Sequence, residues 1–139
     1  MKLGVLLAMM LGLAALLWSA DKKEVKKIPV TATRADSAMD MFKTYCASCH
    51  GVDGKGHGPA AEALKMPPAD LTVLKQKNGG TFPAGRVSRV VEGADVVTAH
   101  GSSDMPTWGP IFHSLDPSNA ALTKLRISNL TKYIESMQK

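Results

Sequence analysis

The chain has 139 residues, with 17 Lys and Arg against 12 Asp and Glu for a net charge of +5, and just two cysteines. Two thiols are too few for a disulfide-stapled fold, a Cys-rich zinc module or an iron–sulfur cluster. The charge does not point to nucleic acid: Lys2, Lys22, Lys23, Lys26 and Lys27, with Asp21 and Glu24, precede residue 29, leaving 12 basic and 10 acidic side chains and no binding motif on the rest.

Lys2 is followed by an uncharged stretch, residues 3–20, rich in Leu, Ala, Met and Gly. Two readings compete for it. A cleaved signal peptide favours small residues before the cut; Ala20 fits, whereas Trp18 is too large. A retained anchor of 18 residues would be roughly 27 Å long as a helix, slightly short of a bilayer core. Lys22, Lys23, Lys26 and Lys27 would then stand on the exported side, against the usual bias of positive charge to the cytoplasm. No lipobox cysteine is present. Residues 21–35 read as a basic linker. One domain follows at 36–139, long enough for a single core but marginal in buried area, and with two Trp, two Tyr and three Phe chain-wide it is poor in aromatic mass.

Ser37 followed by Asp40 offers an N-cap signal for a helix whose apolar face is Met41, Phe42 and Tyr45. That helix runs into Cys46-Ala47-Ser48-Cys49-His50 and then a glycine-rich loop. C-x-x-C-H is the spacing by which c-type haem is attached: each thiol forms a thioether to a vinyl group and the histidine reaches the iron. A thioredoxin-like dithiol would need the strands of a βαβ unit around it. A Cys2His2 zinc site would have to recruit two of His57, His100 and His113, which lack the H-x3–5-H spacing. The run Gly54-Lys55-Gly56-His57-Gly58-Pro59 is not a dinucleotide loop, because G-x-G-x-x-G needs glycine where Pro59 stands and no apolar strand precedes it. Its glycines are expected to let the backbone pass close to the haem edge.

Short helices are expected near 60–64, 69–75 and 85–92, punctuated by Pro67-Pro68, Asn78-Gly79-Gly80 and Phe82-Pro83. Asp116 is the expected cap of the last helix, with Pro117 in its first turn. Leu122, Leu125, Leu130, Tyr133, Ile134 and Met137 form its apolar stripe. No strand pattern of useful length and no internal repeat occurs, so the class is all-α.

Methionine opposite histidine is a standard iron pair in cytochromes c and raises the reduction potential. Met39 and Met41 share the helix before the motif, and Met137 belongs to the packing face of the last helix. That leaves Met66-Pro67, 16 residues after His50, and Met105-Pro106, 55 residues after it. Ligation by Met66 would leave most of the later chain nothing to enclose. Met105 sits in a loop bounded by Gly101 and Gly109 and stiffened by Pro106, and is the preferred ligand, with Met66 the alternative.

Cys46-Ala47-Ser48-Cys49-His50-Gly51, Gly54-Lys55-Gly56-His57-Gly58-Pro59 and Met105-Pro106-Thr107-Trp108-Gly109 together resemble the class I monohaem c-type cytochromes. They are most similar to the bacterial periplasmic group that carries C-x-x-C-H-G, G-x-G-x-G-P and M-P-x-W-G. The resemblance runs from about residue 37 to 133. It implies the cytochrome c fold, a small helical domain wrapped around one haem c held through Cys46 and Cys49. The first and last helices would cross, so that Phe42 or Tyr45 meets Leu130, Tyr133 or Ile134. It also implies a proline carbonyl that accepts the ring N–H of His50, the matching position being Pro59. Haem attachment being extracytoplasmic, it implies export to the periplasm, soluble or tethered through residues 3–20.

Phe82 and Trp108 are candidates for haem packing and Arg86 for a propionate partner; each otherwise reads as ordinary core or solvated surface. The expected function is single-electron transfer between redox partner proteins, with no catalytic residues, by a monomer or a subunit of a respiratory complex. Two alternatives stand beside it. One is a haem enzyme or gas sensor with a labile sixth site served by His57 or His100. The other is the haem subunit of a larger dehydrogenase or oxidase.

Overall fold

The computed structural model describes residues 30–95 and 105–139. The expected leader or anchor at 3–20, most of the basic linker, and His100 lie outside them. Among the described residues there are six α-helices and no strands: α1 (Ala38–Tyr45), α2 (Ala47–His50), α3 (Leu74–Lys77), α4 (Ala84–Glu92), α5 (Trp108–Leu115) and α6 (Ala120–Ser136). Single 3-10 turns occupy Ala61–Ala63 and Leu71–Val73. Among these residues no helix is long and apolar enough to cross a membrane.

The core forms where the apolar faces of α1, α5 and α6 meet. Met41, Phe42, Phe112 and Leu130 are fully buried, each side chain contributing about 1.5–3 kcal/mol of transfer free energy. Phe42 packs against Tyr133 with ring centroids 5.3 Å apart, which is the expected meeting of the first and last helices. Ser37 does precede α1, but its hydroxyl donates to the Asp40 carboxylate instead of accepting a backbone N–H.

The last helix starts later than expected. Asn119 is its cap, accepting from the Ala121 N–H at 3.2 Å. Asp116 instead closes α5 and pairs with Arg126 at 3.2 Å. The buried face of α6 is correspondingly Arg126, Ile127, Leu130, Thr131 and Ile134, whereas Leu125 is 42% exposed. Arg126 can be buried because Nη1 donates to the Thr33 carbonyl at 2.7 Å while Nη2 meets Asp116. The same stretch of chain, 31–35, the end of the segment read as linker, is held down by Tyr45 as well. Its hydroxyl donates to Thr31 O at 2.8 Å and accepts from the Thr33 N–H at 3.1 Å. Asn129 donates to Ala35 O at 2.9 Å.

Helix α5 is absent from the sequence-based expectations, which treated Met105 to Gly109 as loop. Its first turn holds Pro110, which costs nothing there because the first N–H groups have no partner within the helix. Trp108 and Phe112, one turn apart, stack with centroids 5.6 Å apart and both meet Tyr45 at 5.2 Å. Gly109 lets α5 press on the end of α4: a Cβ there would lie 2.5 Å from the Glu92 carbonyl oxygen.

Candidate haem-attachment site

Cys46 is the joint between two helices. Its N–H closes α1 on Phe42 O at 2.9 Å, and its carbonyl receives the N–H groups of Cys49 at 3.2 Å and His50 at 2.9 Å. Positions three and four apart on a helical turn share one face, so both thiols and the imidazole are presented together. Both cysteines are free and half-buried. Burial, with a smaller push from Cys49, drives the Cys46 thiol up to about 12. A redox-active dithiol needs the opposite, a thiol with its pKa lowered toward neutrality. Among the described residues no three His, Cys, Asp or Glu side chains converge on a possible metal-ion position, so nothing there completes a zinc tetrahedron around the pair.

The ring of His50 is oriented by the main chain. Its Nδ1 lies 3.0 Å from the Ala69 carbonyl oxygen. A carbonyl only accepts, so Nδ1 carries the proton and the lone pair of the neutral ring lies on Nε2, the atom an iron would take. This corrects the role expected of Pro59. The acceptor is ten residues further on, and the reason lies in how the glycine loop is used.

The carbonyls at the end of α2 have no partner within the helix, and the loop supplies them. Gly56 N–H donates to His50 O at 2.7 Å, Gly58 N–H to Cys49 O at 3.0 Å and Ala60 N–H to Ser48 O at 2.8 Å. Pro59 stands exposed between two of these donors and itself has no N–H to give. Gly58 runs so close to the helix that a Cβ would sit 2.5 Å from Ala47 O and be driven into Ser48 O. The loop is thus the cap of the Cys-x-x-Cys-His turn.

The other expected residues are placed unequally. Trp108 is buried against Tyr45, the residue immediately before Cys46, and so belongs to the wall behind the attachment turn. Phe82 is half-buried at the margin of the core, beside a hollow of about 360 Å³ that it shares with Lys75, Gly80, Thr81, Glu135 and Gln138. Arg86 lies exposed on α4. Met105 and Met66 are exposed to the same extent, 39% and 40%, so burial does not choose between them. His57 is exposed on the capping loop. Ala69, the acceptor of the His50 proton, was missed because a backbone carbonyl leaves no side-chain signature; the extended Pro67-Pro68 before it was the one available hint.

These features fit a covalently held haem: two unpaired thiols on one turn, an imidazole with a fixed tautomer, and half-buried apolar groups including Leu71, Leu74, Phe82, Val87 and Met137 around the core. A family model described as cytochrome c matches residues 35–138. The chain belongs to the cytochrome c family. Its work is therefore haem-based electron transfer, and family membership implies covalently bound haem c. The class I monohaem type is consistent with the match and with the all-helical fold. No curated protein and no solved structure matches the chain.

Proposed function

We propose that this cytochrome c is a periplasmic electron carrier, with one haem tethered through Cys46 and Cys49 and its iron held between His50 and Met105. The observation that carries the reading is the 3.0 Å hydrogen bond from His50 Nδ1 to Ala69 O, on the same turn as both thiols. A histidine whose other nitrogen is committed to a carbonyl is oriented and made more basic as a metal ligand. When bound, the haem supplies a one-electron ferric–ferrous couple. The protein holds the ligand still, keeps the attachment turn capped, and supports it with the Tyr45, Trp108 and Phe112 cluster. That rigidity serves a carrier, which gains from changing little between oxidation states.

Met105 is favoured over Met66 by its anchorage. Three residues on, Trp108 is packed against Tyr45, the neighbour of Cys46, and Gly109 is pressed on Glu92, which supports Met105 as the ligand because the chain that follows it is anchored. Export follows from the extracytoplasmic attachment of haem c that the family resemblance implies, with residues 3–20 as leader or tether. Donor and acceptor are redox partner proteins.

The test is the visible spectrum of the reduced protein before and after carbon monoxide. No change on adding the gas is expected, because His50 and Met105 would both hold the iron and leave no place for it. A prompt shift would mean an open or labile site and would favour the enzyme or sensor. Met105→Ala should create gas binding and lower the potential, whereas Met66→Ala should do neither; the reverse pattern would move the ligand to Met66.

A further inference from the structure

Gly56 stands where the capping loop, the attachment turn and the segment that carries the His50 acceptor come together. Its N–H donates to His50 O at 2.7 Å. Its φ is +90°, and a Cβ built on it would be driven into the Pro68 carbonyl oxygen and lie 3.3 Å from the Pro68 carbonyl carbon. The next carbonyl along the chain, Ala69 O, receives the His50 Nδ1 proton. Beyond it, Leu71 N–H is pinned to Gly54 O at 2.7 Å. The 68–71 segment is therefore fixed to the loop at Leu71, and a Cβ at position 56 would strike it at Pro68, with Ala69 between the two.

We propose that Gly56 is a positioning residue for the haem-ligating histidine: its missing side chain lets the Pro68–Ala69 peptide come close enough for Ala69 O to hold His50 Nδ1, and so tunes the reduction potential. The inference rests on the reading of His50 as the iron ligand. The 68–71 segment cannot escape a Cβ at position 56 by sliding, because Leu71 is tied to the same loop. The Pro68 carbonyl must give way by turning about that bond, and the Ala69 carbonyl, which lies between the two points, is carried with it. A weaker hydrogen bond leaves the imidazole less basic, favours the ferrous form, and raises the potential. Pro68 contributes by locking its own φ, so that the peptide following it does not relax.

Gly79 provides the control. Its φ is +64°, and a Cβ at that position would meet nothing within 4 Å, so Gly79→Ala carries the left-handed backbone strain of Gly56→Ala without the collision. The readouts are the midpoint potential and, in the diamagnetic ferrous protein, the scalar coupling across the hydrogen bond from His50 Nδ1 to the Ala69 carbonyl carbon. Gly56→Ala should weaken the coupling and raise the ferrous-to-ferric ratio roughly threefold at the native midpoint; Gly79→Ala should leave both unchanged. Native potential and coupling in Gly56→Ala would overturn the proposal, as would equal shifts in the two variants. Should Gly56→Ala fail to mature, Pro68→Gly loosens the same peptide without a new Cβ; a smaller rise in potential is then expected, and no change would overturn the proposal. Absence of a c-type spectrum in the unsubstituted protein would remove the reading of His50 itself, before any variant is compared.

Discussion

Replacing Arg126 by alanine removes a charged group buried at the meeting of α6 with the 31–35 segment, where its side chain is 5% exposed. Its two shortest interactions, to Thr33 O at 2.7 Å and to Asp116 Oδ2 at 3.2 Å, are lost together with longer contacts to Thr33 Oγ1 and Met41 Sδ. Hydrogen bonds to charged groups contribute about 1.5–3 kcal/mol each. The Asp116 side chain is 34% exposed, so its share is screened toward about 1 kcal/mol. Nε is buried with no partner, and losing it offsets part of the cost. The expected destabilisation is about 2–3 kcal/mol, a drop in Tm of roughly 8–24 °C for a domain of this size. Arg126→Met keeps the apolar stem while removing the orphan Nε, and should cost about 1 kcal/mol less. Urea unfolding of the haem-loaded protein followed by helical circular dichroism measures both. Hydrogen exchange should show faster opening of residues 31–35 in the alanine variant, with Tyr45 still holding Thr31. An alanine variant within about 0.5 kcal/mol of the native protein, or unchanged protection at 31–35, would refute the reasoning.

Gly58→Ala should destabilise the attachment turn by about 2–3 kcal/mol, since its Cβ meets Ala47 O and Ser48 O and prises off the capping donors; thermal unfolding and the yield of matured protein report it. The Asp70 carboxylate is held below its usual range first by the Thr72 hydroxyl, then by the Thr72 N–H and by Lys139 and Lys77, with burial opposing. A lowered folded-state pKa stabilises above the unfolded value of about 3.9, and that stability is lost as pH falls through the folded value. Asp70→Asn should therefore flatten the acid limb of the stability profile between about pH 4 and the onset of acid unfolding, measured by urea midpoints over that range. Phe42→Ala should cost about 3–5 kcal/mol, because the ring is fully buried against Tyr133.

The attachment turn was readable from sequence because its chemistry resides in side chains at fixed spacing: Cys46, Cys49 and His50 are where the motif puts them. The packing of Phe42 on Tyr133 was readable from helical periodicity and the family resemblance. What escaped was carried by the backbone. The acceptor for His50 is a carbonyl of Ala69, and the use of Gly56 and Gly58 depends on which main-chain groups they approach. Helix α5 escaped because Pro106 and Gly109 read as loop formers, although Gly109 is buried in the first turn of that helix, against the Glu92 carbonyl. The start of α6 was misplaced because Asp116 has the right side chain for a cap but is consumed by Arg126, leaving Asn119 to do it.

The most direct test of the central claim is the intact mass of the exported protein under denaturing conditions. Chain mass plus one haem is expected, with the haem lost when Cys46→Ser and Cys49→Ser are combined. A chain at its bare mass from cells able to mature c-type cytochromes, or haem that persists in the double variant, would contradict it.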